Sequence, residues 1–279
     1  MTPFDPPLPA VRELVARALA EDLEPLGDLT AALLDGSVPV SAAVVSREDG
    51  VLAGSLCFEE AYVRLDPAVS VFFLVADGDR LAPGTKVAEL EGPAPSLLAG
   101  ERTALNLLCH LSGVATLTRR FVDAVEGSHT RVLDTRKTLP GLRAVQKAAV
   151  RAGGGHNHRG SLSEMVLVKD NHRAALGVAE AVGRARQRWP FRAVEVECDT
   201  IEQVREAVAA GATAVLLDNM GPIQVRQCVE EVAGRALTEA SGGITLEHVA
   251  AYAAAGVDFV SVGALTMSAP SLDLGLDLA

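Results

Sequence analysis

The chain has 279 residues, 49% of them hydrophobic and 4% aromatic, with a formal net charge of −11. That length supports one large domain or two smaller ones, each with its own core. The acidic balance argues against broad contact with nucleic acid or an anionic membrane, because neither polyanion is drawn to an acidic surface. No stretch reaches about 18 uninterrupted apolar residues, and the opening Met1-Thr-Pro-Phe-Asp-Pro-Pro7 has no basic leader ahead of an apolar block. Cys57, Cys109, Cys198 and Cys228 show neither metal-ligand spacing nor the density of a disulfide scaffold, so reduced thiols in a cytoplasmic protein are expected.

Residues 8–23 read as an amphipathic helix with Val11, Leu14, Val15, Ala18 and Leu19 as its apolar stripe. From about 40 to 95 come short β-type runs broken by turns, at Ser41–Arg47, Gly50–Cys57 and Val69–Val75. Leu97–Val125 is long and helical. After residue 130 a new rhythm begins, in which an apolar run ends in a polar residue and a helix-forming stretch follows. The runs are Arg131–Thr135, Met165–Lys169, Ala193–Glu197, Ala214–Asp218, Ala236–Ala240 and Phe259–Gly263. From Lys169 onward they are spaced one βα unit apart, which predicts parallel strands.

An open doubly wound sheet and a closed barrel compete for this pattern. No Gly-x-Gly-x-x-Gly follows a first strand, and polar residues at nearly every strand end favour the barrel, whose sites are assembled from the carboxyl ends of many strands. The strand Val194–Asp199 sharpens the choice. Its two-residue period puts Glu195, Glu197 and Asp199 on one face, and a parallel strand is buried on both faces. Three carboxylates inside need cationic partners, so the interior must carry positive charge.

The cations are concentrated. Between Arg131 and Arg173 nine Lys or Arg face three acids, giving that window +6 and the remainder −17. This is the pattern of an acidic protein with a local pocket for a small polyanion. Arg143, Lys147 and Arg151, spaced four apart, also fit a solvated helix face. Asp134-Thr-Arg-Lys-Thr138 places two cations beside two hydroxyls at a strand end, suited to phosphate or carboxylate. Gly153-Gly-Gly-His-Asn-His-Arg-Gly160 allows close backbone approach to a ligand. His156 and His158 alone make a poor zinc signature. Lys169, ending an apolar strand, fits an anion site and also a Schiff-base aldolase. Asp218-Asn219 fits a ribose hydroxyl, a metal-bound water, or a cap for a helix starting near Pro222. Ser241-Gly-Gly-Ile-Thr245 and Val262-Gly-Ala264 lie where barrels bind phosphate, or form two tight turns. His110, His129 and His248 lack such company and read as structural.

In order along most of the chain, Glu101-Arg-Thr-Ala-Leu-Asn106, Leu111-Ser-Gly-Val-Ala-Thr116, Asp134-Thr-Arg-Lys-Thr-Leu-Pro-Gly-Leu-Arg143, Gly153-Gly-Gly-His-Asn-His-Arg159, Val168-Lys-Asp-Asn-His172, Glu195-Val-Glu197, Leu217-Asp-Asn219, Glu239-Ala-Ser-Gly-Gly-Ile244 and Ser261-Val-Gly263 resemble the nicotinate-nucleotide pyrophosphorylase (carboxylating), or quinolinate phosphoribosyltransferase, family. Ser161-Leu-Ser-Glu164 departs from the family's glycine-leucine segment. A paralogue encoded beside molybdate transporters shares the scaffold. A lipoyl or biotinyl carrier, a third reading prompted by the N-terminal turns, lacks a lysine at a hairpin tip.

The resemblance implies a reaction of quinolinate with phosphoribosyl pyrophosphate, giving nicotinate mononucleotide, pyrophosphate and carbon dioxide, with Mg²⁺ required. It implies an α/β fold: an N-terminal α/β domain (1–112, rejoined by 267–279) and an open, incomplete parallel α/β barrel (113–266) of seven strands, one more than the pattern assigns. Carried over by position, Arg102, Thr135, Arg136, Lys137, His158, Arg159 and Lys169 surround the dicarboxylate, with Lys137 shared toward the phosphate end. Glu197 and Asp218 face the ribose and the metal, directly or through water. Ser241, Gly242, Gly243, Val262, Gly263 and Ala264 hold the 5′-phosphate. Lys137, Lys169, Glu197 and Asp218 are the implied catalytic set. A homodimer or larger assembly is implied, with Arg102 reaching the neighbouring subunit's site.

Overall fold

A computed structural model describes residues 5–36 and 38–278, so the first four residues of the opening segment lie outside the described residues. The chain divides into two compact units. One comprises Met1–Arg119, Thr138–Gly154 and Ala264–Ala279, and the other Arg120–Lys137 and Gly155–Gly263.

The first unit opens with α1 (Leu8–Leu23), which buries Val11, Leu14, Val15 and Leu19 of the expected stripe. Strands β1 (Pro39–Ser46) and β2 (Gly50–Val51) follow. The β-type run expected over Gly50–Cys57 stops at Val51. Gly54 takes φ 101°, and α2 (Ser55–Leu65) begins. Asp77 explains the switch, since its two carboxylate oxygens accept the Gly54 and Ser55 amides that a new helix leaves unbonded. The helical period then buries Cys57, Phe58, Ala61 and Tyr62, with the Phe58 and Tyr62 rings 5.3 Å apart. Next come β3 (Ser70–Phe73), β4 (Arg80–Leu81), β5 (Lys86–Pro93) and the long α3 (Ala94–Ala124). Strands are numbered through the whole chain, and the final one, β12 (Leu274–Leu278), completes an antiparallel sheet of order β12-β1-β5-β3.

Helix α4 (Arg143–Ala152) also belongs to this unit, and it corrects the solvated-face reading of three cations. Lys147 is only 6% exposed. Arg143 Nε donates to Thr138 Oγ1 at 3.1 Å, and Arg151 Nη2 donates to the Asp5 carbonyl at 3.3 Å. The spacing of four was real, but the helix turns that row inward.

The second unit carries β6 (Arg131–Leu133), β7 (Val166–Val168), β8 (Val194–Cys198), β9 (Ala214–Asp218), β10 (Leu237–Ser241) and β11 (Phe259–Ser261). All six expected runs are strands, and every pairing in the order β6-β11-β10-β9-β8-β7 is parallel. The connecting helices are α5 (Asp170–Leu176), α6 (Val178–Arg188), α7 (Ile201–Ala209), α8 (Pro222–Val232) and α9 (Val249–Ala254), while the short α10 (Ala264–Met267) lies in the first unit. The N-cap of α8 is Gly221, whose amide donates to Gln224 Oε1. Asp218-Asn219 therefore does not cap this helix.

The seventh strand position is a single residue. On the free side of β6, His156 bridges Leu133 in parallel, donating its amide to Val132 O and accepting from Asp134 N. Glycines precede it and polar residues follow it, so no β-branched run marked the spot.

Residues from all six strands or their ends line one cavity of about 350 Å³. In a flat sheet β6 and β7 would stand about 24 Å apart, five strand spacings. They share one small cavity only if the sheet curls into a barrel.

In the first unit, Gly113 of α3 lies against the backbone of Pro270, and a Cβ there would overlap the Pro270 carbonyl oxygen. Gly113→Ala should lower stability by about 1–3 kcal/mol, read as a reduced Tm in circular-dichroism melts; an unchanged Tm would contradict this packing.

Candidate active site in the barrel mouth

Asp134, the first residue after β6, is fully buried and acts as an anchor. Its carboxylate accepts Asn157 Nδ2 at 2.7 Å and the His158 amide at 2.8 Å. Thr135 Oγ1 then accepts the Lys137 amide at 3.0 Å, a tight turn that puts Arg136 and Lys137 at the cavity. A Cβ on Gly263, just past β11, would come within 3.1 Å of Lys137 Cδ. A larger residue there would displace the lysine.

His158 projects across the interior. Its Nε2 lies 3.0 Å from Glu195 Oε2 on β8 and 3.5 Å from Glu239 Oε2 on β10, while Nδ1 accepts the Arg159 amide at 2.8 Å. Burial works against a charged imidazole here, but the Glu195 hydrogen bond and the charges of Glu239 and Glu195 outweigh it and raise its pKa. Arg159 Nη1 donates to Met165 O at 3.2 Å, and its pKa is depressed by burial and then by nearby Arg136. Lys169, at the end of β7, meets Glu197 Oε2 at 2.7 Å, and Arg173 meets Asp199 Oδ2 at 2.7 Å. Glu195 and Glu197 of β8 thus meet His158 and Lys169, while Asp199 lies past the end of the strand and is exposed, so the expected three interior carboxylates are two.

Asp218 ends β9 with Asn219 Nδ2 on its Oδ2 at 2.6 Å. Its pKa is raised by burial and then by Glu197 and Asp199, an excess of negative charge at this rim that a cation would relieve. Glu197 and Asp218 are a hard-oxygen pair of the kind that suits Mg²⁺. His158, Glu195 and Glu239 also hold ligand-type atoms within 4.8 Å of one another.

The structure brings Thr135, Arg136, Lys137, His158, Arg159, Lys169, Glu197, Asp218 and Ser241 together on the cavity wall. Gly242 and Gly243 follow Ser241 with φ of 97° and 61°, a turn only glycine adopts readily. Val262 is buried, its amide on Leu133 O at 3.0 Å, and Ala264 opens α10 in the first unit. Arg102 belongs to α3 of the first unit, with an exposed side chain and Glu101 Oε1 at 3.8 Å. Asp134, Glu195, Glu239 and Ser261 were not assigned to the site from sequence. The two-residue alternation with Glu197 was the available signal for Glu195; Glu239 and Ser261 were marked only as members of the motifs that carry the family resemblance.

Glu239 is 4% exposed, and burial, followed by Glu195, raises its pKa well above the ordinary 4.5. A carboxyl whose pKa is raised on folding withdraws stability as pH climbs from its unfolded value through its folded one. Glu239→Gln should therefore gain Tm relative to wild type at neutral pH, and the gain should shrink in mild acid; a pH-independent difference would contradict the burial argument.

Models of the quinolinate phosphoribosyl transferase C-terminal and N-terminal domains match residues 114–277 and 28–112. The chain is 43% identical over 270 residues to a probable nicotinate-nucleotide pyrophosphorylase [carboxylating] of Bacillus subtilis, covering 96% of this chain and 93% of that protein. It is 45% identical over 279 residues to the nicotinate-nucleotide pyrophosphorylase [carboxylating] of Mycobacterium leprae, covering 96% and 97%. The solved nicotinate-nucleotide pyrophosphorylase of Francisella tularensis superposes with a TM-score of 0.95 at 37% identity, over 99% of this chain and 98% of that one. Both domain models, relatives matched along almost their whole length and the shared architecture agree: the chain belongs to the quinolinate phosphoribosyltransferase family.

Proposed function

We propose that the barrel site transfers the phosphoribosyl group of phosphoribosyl pyrophosphate to quinolinate and releases carbon dioxide, giving nicotinate mononucleotide and pyrophosphate in NAD biosynthesis. One observation carries this reading. Arg136, Lys137, Arg159 and Lys169 converge on a cavity of about 350 Å³ that also presents Glu197 and Asp218. A dicarboxylate and a polyphosphate need several cations, and an anomeric carbon gaining positive charge needs nearby carboxylates.

In this reading Arg136 and Arg159 grip the two quinolinate carboxylates through their planar forks, and Lys169 adds a point charge. Lys137 serves the phosphate end. Ser241, Gly242, Gly243, Val262, Gly263 and Ala264 offer backbone amides and a hydroxyl to the 5′-phosphate. The pyridine nitrogen bonds to the anomeric carbon as the bond to pyrophosphate breaks, and Glu197 and Asp218 stabilise the oxocarbenium-like state between them. The carboxylate at ring position 2 then leaves as carbon dioxide, and its electron pair stays on C2, stabilised by the adjacent positive nitrogen, until a proton bonds there. Glu197 and Asp218 would hold Mg²⁺, directly or through water, and the ion would supply charge neutralisation for the departing pyrophosphate. A Schiff-base role for Lys169 is less well supported, because its Nζ is engaged by Glu197 Oε2 at 2.7 Å.

The same reading makes the working form a homodimer or larger, cytoplasmic, with the exposed Arg102 entering a neighbouring copy's site. No helix among the described residues is long and apolar enough to cross a membrane.

The purified protein with Mg²⁺ and phosphoribosyl pyrophosphate should form mononucleotide and carbon dioxide from quinolinate; product from nicotinate alone would overturn the substrate assignment. Asp218→Asn should lower kcat by about 10²–10³-fold with both substrates still bound, as expected when a preorganised charge is lost. Arg102→Ala and Lys169→Ala proteins, each inactive, should recover part of the activity when mixed and allowed to exchange subunits. Failure of exchanged hybrids to recover activity would confine Arg102 to its own chain's site.

A further inference from the structure

The ring of His158 has no free nitrogen. Because Nδ1 accepts the Arg159 amide hydrogen at 2.8 Å, the ring's proton lies on Nε2, and Nε2 donates it to Glu195 at 3.0 Å with Glu239 at 3.5 Å. A ring with its proton on Nε2 has no lone pair there for a cation, so this trio is not arranged as a metal site. What the ring does hold is the backbone of Arg159, the cation next along the chain.

We propose that Glu195 and Glu239 are positioning residues, which hold the His158 ring by its Nε2–H and through its Nδ1 hold Arg159 where its guanidinium meets the quinolinate carboxylate. The proposal rests on the reading of the site given above. The geometry supports it from three sides. Asp134 ties the segment to the end of β6 through the His158 amide and Asn157, and Glu195 and Glu239 tie its ring to β8 and β10. Glu195 and Glu239 are 2% and 4% exposed, so neither is a solvated charge met by chance. The segment itself has no helix or strand to set it beyond the one-residue bridge at His156. Side-chain bonds from three strands therefore replace the missing secondary structure.

The test uses the full chain as wild type, as Glu195→Gln, which keeps an acceptor oxygen for the ring, and as Glu195→Leu, which removes it at similar volume. Loss of a buried hydrogen bond that orients a charged group should raise the quinolinate KM of Glu195→Leu by about 10–100-fold. The KM for phosphoribosyl pyrophosphate and kcat at saturating quinolinate should stay close to wild type. Glu195→Gln should restore the quinolinate KM. Nitrogen-15 spectra of the unliganded wild type, followed upward in pH until the ring is neutral and with the His158 signals assigned by their loss in His158→Gln, should show a protonated Nε2 and an unprotonated Nδ1. The spectrum does not depend on which substrate the enzyme uses. A wild type inactive on quinolinate but showing this ring state would refute the assigned reaction and leave the positioning geometry intact.

A neutral His158 ring with its proton on Nδ1 would overturn the proposal. So would a Glu195→Leu protein with a wild-type quinolinate KM, or one in which both KM values rise together and Glu195→Gln gives no rescue. If Glu195→Leu does not fold, Glu195→Gln and the ring spectrum decide between the same outcomes.

Discussion

A parallel strand covered on both faces ordinarily carries aliphatic side chains, and β8 buries Glu195 and Glu197 instead. An unpaired carboxylate at such a depth is costly, so each must be met by a group from elsewhere in the barrel. His158 comes from beyond the His156 bridge and Lys169 from the end of β7, while Arg173 of α5 meets Asp199 just past the strand. Pairs of this kind do not add much net stability, because desolvation offsets the attraction. Their effect is on position: each acid dictates where one loop must end. The mouth of the barrel is shaped by these obligations more than by apolar packing.

The parallel architecture was legible because its signals are local. Each strand is a short apolar run closed by a polar residue, and each run recurs after a helical stretch, from Lys169 through Glu197 and Asp218 to Gly263. The elements missed were those whose cause lies far along the chain. Helix α2 starts at Ser55 because Asp77 receives its first amides. His156 is in the sheet because Val132 and Asp134 bond its backbone, with nothing in Gly-Gly-Gly-His-Asn-His to announce a strand. Lys147 faces inward although its spacing from Arg143 and Arg151 suits a solvated row. Charge spacing describes a helix face and is silent on what covers it.

The site divides along the same line. Arg136, Lys137, Lys169, Glu197 and Asp218 sit at strand ends, where a barrel displays its chemistry, and could be picked out by position. Asp134, Glu195 and Glu239 lie one layer deeper and touch ligand-facing residues rather than open solvent. A glutamate on a strand looks the same in sequence whether it stabilises a sugar or steadies a histidine. Only the convergence of β8 and β10 on one imidazole, whose backbone is held from the end of β6, separates the two. The raised pKa values of Glu239 and Asp218 mark where the fold tolerates unfavourable charge for the sake of the site.

The antiparallel sheet of the first unit is completed by β12, which enters the chain only after every strand of the parallel unit has passed. Arg47 and Asp277, 230 positions apart, form an ion pair, and β1 and β12 pair along five residues beside it. The parallel sheet has the same character, since β6 waits for β11, its neighbour, until residue 259. Contacts of such range are slow to form and leave strand edges open in the interim. During synthesis both sheets therefore remain unfinished until nearly the whole chain has emerged, and the last few residues close a structure begun near the first.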